Sequence, residues 1–140
     1  MGIKANKMSN KKNIWCSIHQ PTPEQLKELG NVVLLQDLNP ELQGKLNNTP
    51  STKKELFSLA VELLVFCGDY DNIVQPGGSP AFQYHLGIAA SEQVPACDGG
   101  FIFKYDVLVR YSHSARVSED IPQADGSVKK VSIFKHLGWI

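Results

Sequence analysis

Three stretches of this 140-residue chain carry side chains suited to chemistry: Ser17-Ile18-His19-Gln20, Gln75-Pro76-Gly77-Gly78-Ser79 and Tyr111-Ser112-His113-Ser114-Ala115-Arg116. Each follows an apolar run, so each is expected at the end of a strand. Together they would gather two imidazoles, several hydroxyls, a run of backbone amides and one guanidinium. Those are the parts that hold a phosphodiester: amides and a cation to take up charge on phosphoryl oxygens, and an imidazole to move a proton. Each stretch also has a plainer reading. His19, two residues before Pro21, could simply end a strand, and the glycines could serve only a tight turn that needs positive φ. Ser112, His113, Ser114 and Arg116 could form a solvated loop. His85 falls inside an expected helix and reads as a surface residue, while Lys135 and His136, near the end of a later strand, fit surface and ligand contact equally well.

Other chemistries are poorly supported. No lysine follows Gly78, so the glycine turn lacks the pattern of an ATPase phosphate loop. HExxH, HxH and CxxC spacings are absent, and His19, His85, His113 and His136 lie on separate expected elements, so neither a metal nor a cofactor is expected. Gly77-Gly78-Ser79-Pro80-Ala81 holds a serine but not the GxSxG elbow of a serine hydrolase. Cys16, Cys67 and Cys97 are odd in number and lie in or beside apolar runs, which reads as buried free thiols in a reducing cytoplasm.

The elements that must position these residues alternate in type. Ile14-Trp15-Cys16-Ser17-Ile18 reads as a buried first strand. Thr22-Pro23-Glu24-Gln25 supplies an N-cap, a first-turn proline and a capping-box Gln for a helix that Gly30 closes. Val32 to Leu35 reads as a second strand, and Asn39-Pro40-Glu41-Leu42 opens a short helix or turn. Thr52-Lys53-Lys54-Glu55 is a second capping box, followed by Leu56, Leu59, Ala60, Leu63 and Leu64 at helical spacing. Asn72 to Gln75 is a brief strand that runs through the glycine turn into a helix ending near Ala90. Such a turn leaves amides pointing out of a helix N-terminus, where a phosphate is favoured. Phe101 to Phe103 and Val107 to Tyr111 are strand-like, and Asp125-Gly126 marks a hairpin between Val117-Ser118-Glu119 and residues 128–134. Alternation of this kind predicts a three-layer α/β sandwich on a mostly parallel sheet, with a hairpin over about residues 115–140.

Lys plus Arg and Asp plus Glu number fourteen each, but the charge is uneven. Residues 1–12 carry a net +4, residues 13–100 a net −6 and residues 101–140 a net +2. The neutral whole argues against binding to duplex nucleic acid or to an anionic membrane, and anion contacts are expected from amides in the middle of the chain and cations near its end. Residues 1–12 read as a disordered basic tail, and residues 13–140 as one domain. No apolar segment is long enough to cross a bilayer, and no signal peptide is visible, which points to the cytoplasm.

The same turns resemble those of the small stand-alone CRISPR-associated ring-nuclease proteins. The anchors are Ser17-Ile18-His19 with Thr22-Pro23-Glu24-Gln25, Gly68-Asp69-Tyr70 with Ile73-Val74-Gln75, and a strand leading to Ser112 and Arg116. The most specific is the C-terminal block, Asp125-Gly126-Ser127-Val128-Lys129-Lys130 with Val131-Ser132-Ile133-Phe134-Lys135-His136. The resemblance implies a Rossmann-like domain and a homodimer around a cyclic oligoadenylate. It also implies metal-independent cleavage by attack of a ribose 2′-hydroxyl on the adjacent phosphorus. On that reading His19, Ser112, His113 and Arg116 are the candidate catalytic residues. Ser17, Gln20, Gln75, Gly77, Gly78, Ser79, Ser114, Lys135 and His136 are the candidate ligand contacts. The chain departs from the family pattern in an apparent insertion at residues 91–106 and in the proline-glycine turn after the third strand. A sensor that binds the ring without turnover, and an interaction module with no ligand, are the alternatives.

Overall fold

The apolar runs at residues 13–15 and 72–75 become inner strands of a five-stranded sheet in the computed structural model, which describes residues 11–140. The basic segment expected over residues 1–12 lies, up to residue 10, outside the described residues. Lys12 already belongs to the fold, since its carbonyl accepts from the amides of Asp71 at 2.9 Å and Asn72 at 3.1 Å. The elements run β1 (Asn13–Trp15), α1 (Pro23–Leu29), β2 (Val32–Leu34), α2 (Leu35–Leu38), α3 (Pro40–Asn47), α4 (Lys53–Phe66), β3 (Asn72–Gln75) and α5 (Pro80–Ala90). They continue with β4 (Gln93–Pro95), β5 (Phe101–Phe103), β6 (Leu108–Pro122) and β7 (Val128–Trp139).

The sheet order is β2-β1-β3-β6-β7, with the first four strands parallel and β7 antiparallel at the edge. β4 and β5 pair only with each other, in a separate two-stranded sheet. The expected α/β architecture with a mostly parallel sheet and a C-terminal hairpin is therefore observed. Chain order reverses between β1 and β3, because β1 is followed outward on one side by β2 and on the other by β3. A single crossover handedness then requires the helices after β1 and after β2 to lie on opposite faces, and they do. Ile14, Cys16 and Ile73 pack with Leu35, Leu42, the α4 residues Leu56, Leu59, Ala60, Leu63 and Leu64, and Phe82 and Leu86 of α5. Trp15 and Val74 point the other way and meet Leu29 of α1, with Trp139 beside them.

Local chemistry explains the helix starts. Thr22 accepts from the amide of Gln25 at 3.2 Å and Gln25 Oε1 accepts from the amide of Thr22 at 2.9 Å, the reciprocal box foreseen from sequence. Thr52 accepts from Glu55 at 3.2 Å, but only this half of the second box forms. β1 ends at Trp15, and Ile18 is half exposed, so the first strand is shorter than expected. Leu35 belongs to α2 instead of β2: β2 sits at the sheet edge, and turning into a helix at Leu35 buries that side chain completely. Cys16 and Cys67 are buried as expected, whereas Cys97 is exposed, because it lies on the turn between β4 and β5 instead of in the core.

The largest correction concerns residues 112–116. They do not form a turn after a strand; β6 continues through them for 15 residues and pairs with β7 from Ser112 to Pro122. The ladder with β7 satisfies the backbone there, so Ser-His-Ser extends the strand. A register shift falls between His113 and Ser114. The loop at the far end holds Gly126 at φ 84°, which favours glycine, and the Ser127 hydroxyl and amide hold the Asp125 carboxyl below the usual carboxylate range.

Buried polar groups tie neighbouring strands together at their amino ends. Asn13 donates to the Leu29 carbonyl at 2.9 Å, Asn72 donates to Asn13 Oδ1 at 2.8 Å, and Arg110 Nε donates to Asn72 Oδ1 at 3.2 Å. Replacing Asn72 by alanine deletes two of these bonds and is expected to lower stability by about 1–3 kcal/mol. The shift of the urea midpoint at constant slope measures it; an unchanged midpoint would show that the network contributes nothing.

Candidate functional site

The point where strand order reverses leaves a crevice beyond the carboxyl ends of the flanking strands. Here the flanking strands are β1 and β3, and the crevice is a cavity of about 510 Å³. Ser17, His19, Gln20, Gln75, Gly77, Gly78 and Ser79 all line it, so two of the three stretches picked from sequence converge. Trp15, Thr22, Gln25, Gln43, Asn47 and Thr49 complete much of the polar wall. A second cavity, of about 610 Å³, lies at the opposite end of β3 and β6 and includes none of the candidate residues.

The loop after β1 is held by side chains of its own neighbourhood. Trp15 Nε1 donates to the His19 carbonyl at 2.7 Å, and the His19 amide donates to Ser17 Oγ at 3.1 Å. Both bonds use the backbone of residue 19, which leaves its exposed imidazole for other partners. On the opposite wall, Ser79 caps α5 by accepting from the Phe82 amide at 3.3 Å, while the Gln83 amide bonds the Ser79 carbonyl at 3.0 Å. Pro80 has no amide hydrogen. The helix start therefore presents fewer amides than a bare N-terminus, and the remaining anion-binding capacity lies in the 77–79 turn. Gly78 has φ 122° with open space around its missing side chain, so backbone conformation, not close packing, requires glycine there.

Charge is absent from this wall: among the described residues no Asp, Glu, Lys or Arg lines the cavity, and His19 is its one histidine. The Cys16 thiol also reaches the lining, but the neighbouring Cys67 thiol and burial push it well above its ordinary pKa, so it stays protonated and unsuited to nucleophilic attack. The dominant functional group is the side-chain amide, with Gln20, Gln25, Gln43, Asn47 and Gln75 all present.

The third stretch goes elsewhere. Ser112, His113, Ser114, Arg116, Lys135 and His136 lie on the β6–β7 ribbon and none lines the cavity. Alternation along a strand sends successive side chains to opposite faces, which separates exposed His113 from its neighbours. Ser112 Oγ lies 2.8 Å from His136 Nδ1 and 3.0 Å from Ser114 Oγ. His136 packs on Trp139 with ring centres 4.7 Å apart, and Trp139 meets Trp15 edge to face at 5.9 Å. The serine–histidine cluster thus stands one aromatic pair away from the cavity wall. Arg116 and Lys135 are exposed further along the ribbon.

Sequence reading missed Gln43. It sits in short α3 between Leu42 and Leu46, and no local pattern sets it apart from the other polar residues of that helix. Among the described residues no group of three His, Cys, Asp or Glu side chains could hold a metal ion, and no helix is long and apolar enough to cross a membrane. No protein-family model, curated protein or solved structure matches the chain significantly.

Proposed function

We propose that the protein binds a cyclic oligoadenylate at the cavity between β1 and β3 and opens the ring without a metal, as the ring-nuclease resemblance implies. The observation that carries this reading is the convergence of His19, Ser17, Gln75 and the 77–79 turn on one cavity at the switch point. In the reaction a ribose 2′-oxygen bonds to the adjacent phosphorus and the bond to the 5′-oxygen breaks. The 2′-hydroxyl gives up its proton, the leaving 5′-oxygen gains one, and the product ends in a 2′,3′-cyclic phosphate. His19 is suited to one of these proton transfers, because imidazole is the side chain that ordinarily changes charge near neutrality. The turn amides stabilise the phosphoryl oxygens.

A cavity of about 510 Å³ takes a part of such a ring, so two copies would enclose it together. Incubation with cyclic tetra-adenylate in EDTA should yield linear products with cyclic phosphate ends. Loss of both binding and cleavage would overturn the reading.

One observation favours a second reading, a sensor that holds the ring without turnover: the described lining contains no cation to stabilise developing phosphoryl charge. Tight binding with the ring intact after long incubation would select it.

A further inference from the structure

Two buried polar atoms of the cavity residues have no partner: Gln43 Oε1 and Gln75 Nε2. Both residues are almost fully enclosed, at 2% and 3% exposure, and both line the same space. A buried polar group without a hydrogen bond is costly, and protein interiors rarely keep two in one place without a reason. The two orphans are complementary in kind, one acceptor and one donor. Gln43 Nε2 donates to Asn47 Oδ1 at 3.0 Å, and in that orientation Oε1 is the atom left for an outside donor.

We infer that Gln43 and Gln75 read the edge of an adenine base, Gln43 accepting from the exocyclic amine and Gln75 donating to the neighbouring ring nitrogen. The inference rests on the cyclic oligoadenylate reading and adds the residues that read its base. An adenine edge offers one donor beside one acceptor, the pattern that side-chain amides match. A hypoxanthine edge places a carbonyl where the amine was, so the Gln43 oxygen would face another acceptor. The ligand would then supply the partners that no protein group supplies to these two atoms. Asn47, exposed on the last turn of α3, is a positioning residue that holds the Gln43 amide in register.

The test compares binding of cyclic tetra-adenylate and cyclic tetra-inosinate by the full chain. Wild type should prefer the adenine ring by about 10- to 100-fold, the loss expected when one buried group is left unpaired. Gln43→Met, which keeps the length and removes the acceptor, should abolish the preference while melting no lower than wild type. Asn47→Ala leaves the buried core untouched and should relax the preference by freeing the amide to turn over. Equal binding of both rings by wild type, or an undiminished preference in both variants, would overturn the inference alone. Binding of neither ring would overturn the cyclic oligoadenylate reading and the inference with it.

Discussion

Replacing His19 by alanine is expected to slow ring opening by about 10²- to 10⁴-fold, the contribution of a positioned proton-transfer group. Binding should change little. The structure makes this a clean substitution, because the two hydrogen bonds that shape the loop use the amide and carbonyl of residue 19, not its ring. The imidazole is exposed, so no core contact is lost with it. The pH–rate profile should lose one limb in the variant, and added imidazole should restore part of the rate. Single-turnover rates with saturating protein separate the chemical step from binding. An unaltered rate would move the proton transfer away from the cavity, with the Ser112–His136 pair as the next group to replace.

Trp15→Ala is expected to cost about 3–5 kcal/mol of stability, a large share of the roughly 5–15 kcal/mol that a domain has in total. Trp15 is 1% exposed and contributes to three separate structures. It joins Leu29 and Val74 in the smaller core, packs edge to face on Trp139, and holds the His19 carbonyl through its indole N–H. Trp15→Phe separates these roles by keeping most of the apolar area while removing the donor. Its stability should fall by only about 1 kcal/mol, while His19 loses its anchor and activity falls as well. Denaturant midpoints of the two variants measure the difference. A midpoint for Trp15→Ala within error of wild type would show that α1 and β7 cover that face without it.

Local signals in the sequence were reliable where the chain satisfies its own backbone. The Thr22–Gln25 box and the apolar spacing of α4 each form where the residues indicate, because partners three or four positions apart need nothing from the rest of the fold. The strand Asn72–Gln75 was legible because it is buried and bounded by an acidic turn and a glycine turn. The alternation also led to the carboxyl ends of β1 and β3, and so to His19 and Gln75. Residues 112–116 were misread because serine and histidine resemble loop composition. What keeps them in a strand is a partner about twenty residues away, and no local pattern records that pairing. Gln43 was passed over for a related reason: α3 has only 8 residues, too few for one polar position in it to stand out. Its significance depends on sharing the cavity with Gln75, which ends β3, with α4 between them in the chain.

The β6–β7 ribbon bears on how the protein behaves at high concentration. From Ser112 onward β6 pairs with β7 alone among the described residues, so beyond the sheet each strand presents an open row of backbone donors and acceptors. Open rows of this kind recruit strands from other molecules and seed aggregates unless something interrupts them. Here charge does so on both sides: Glu119 and Asp120 on one edge, Lys129 and Lys130 on the other, with Asp120 opposite Lys130 and Pro122 closing the far end. Like edges of two molecules meet with like charge, which disfavours their zipping together. The same residues that make the ribbon hydrophilic in the sequence therefore act as gatekeepers for its exposed backbone.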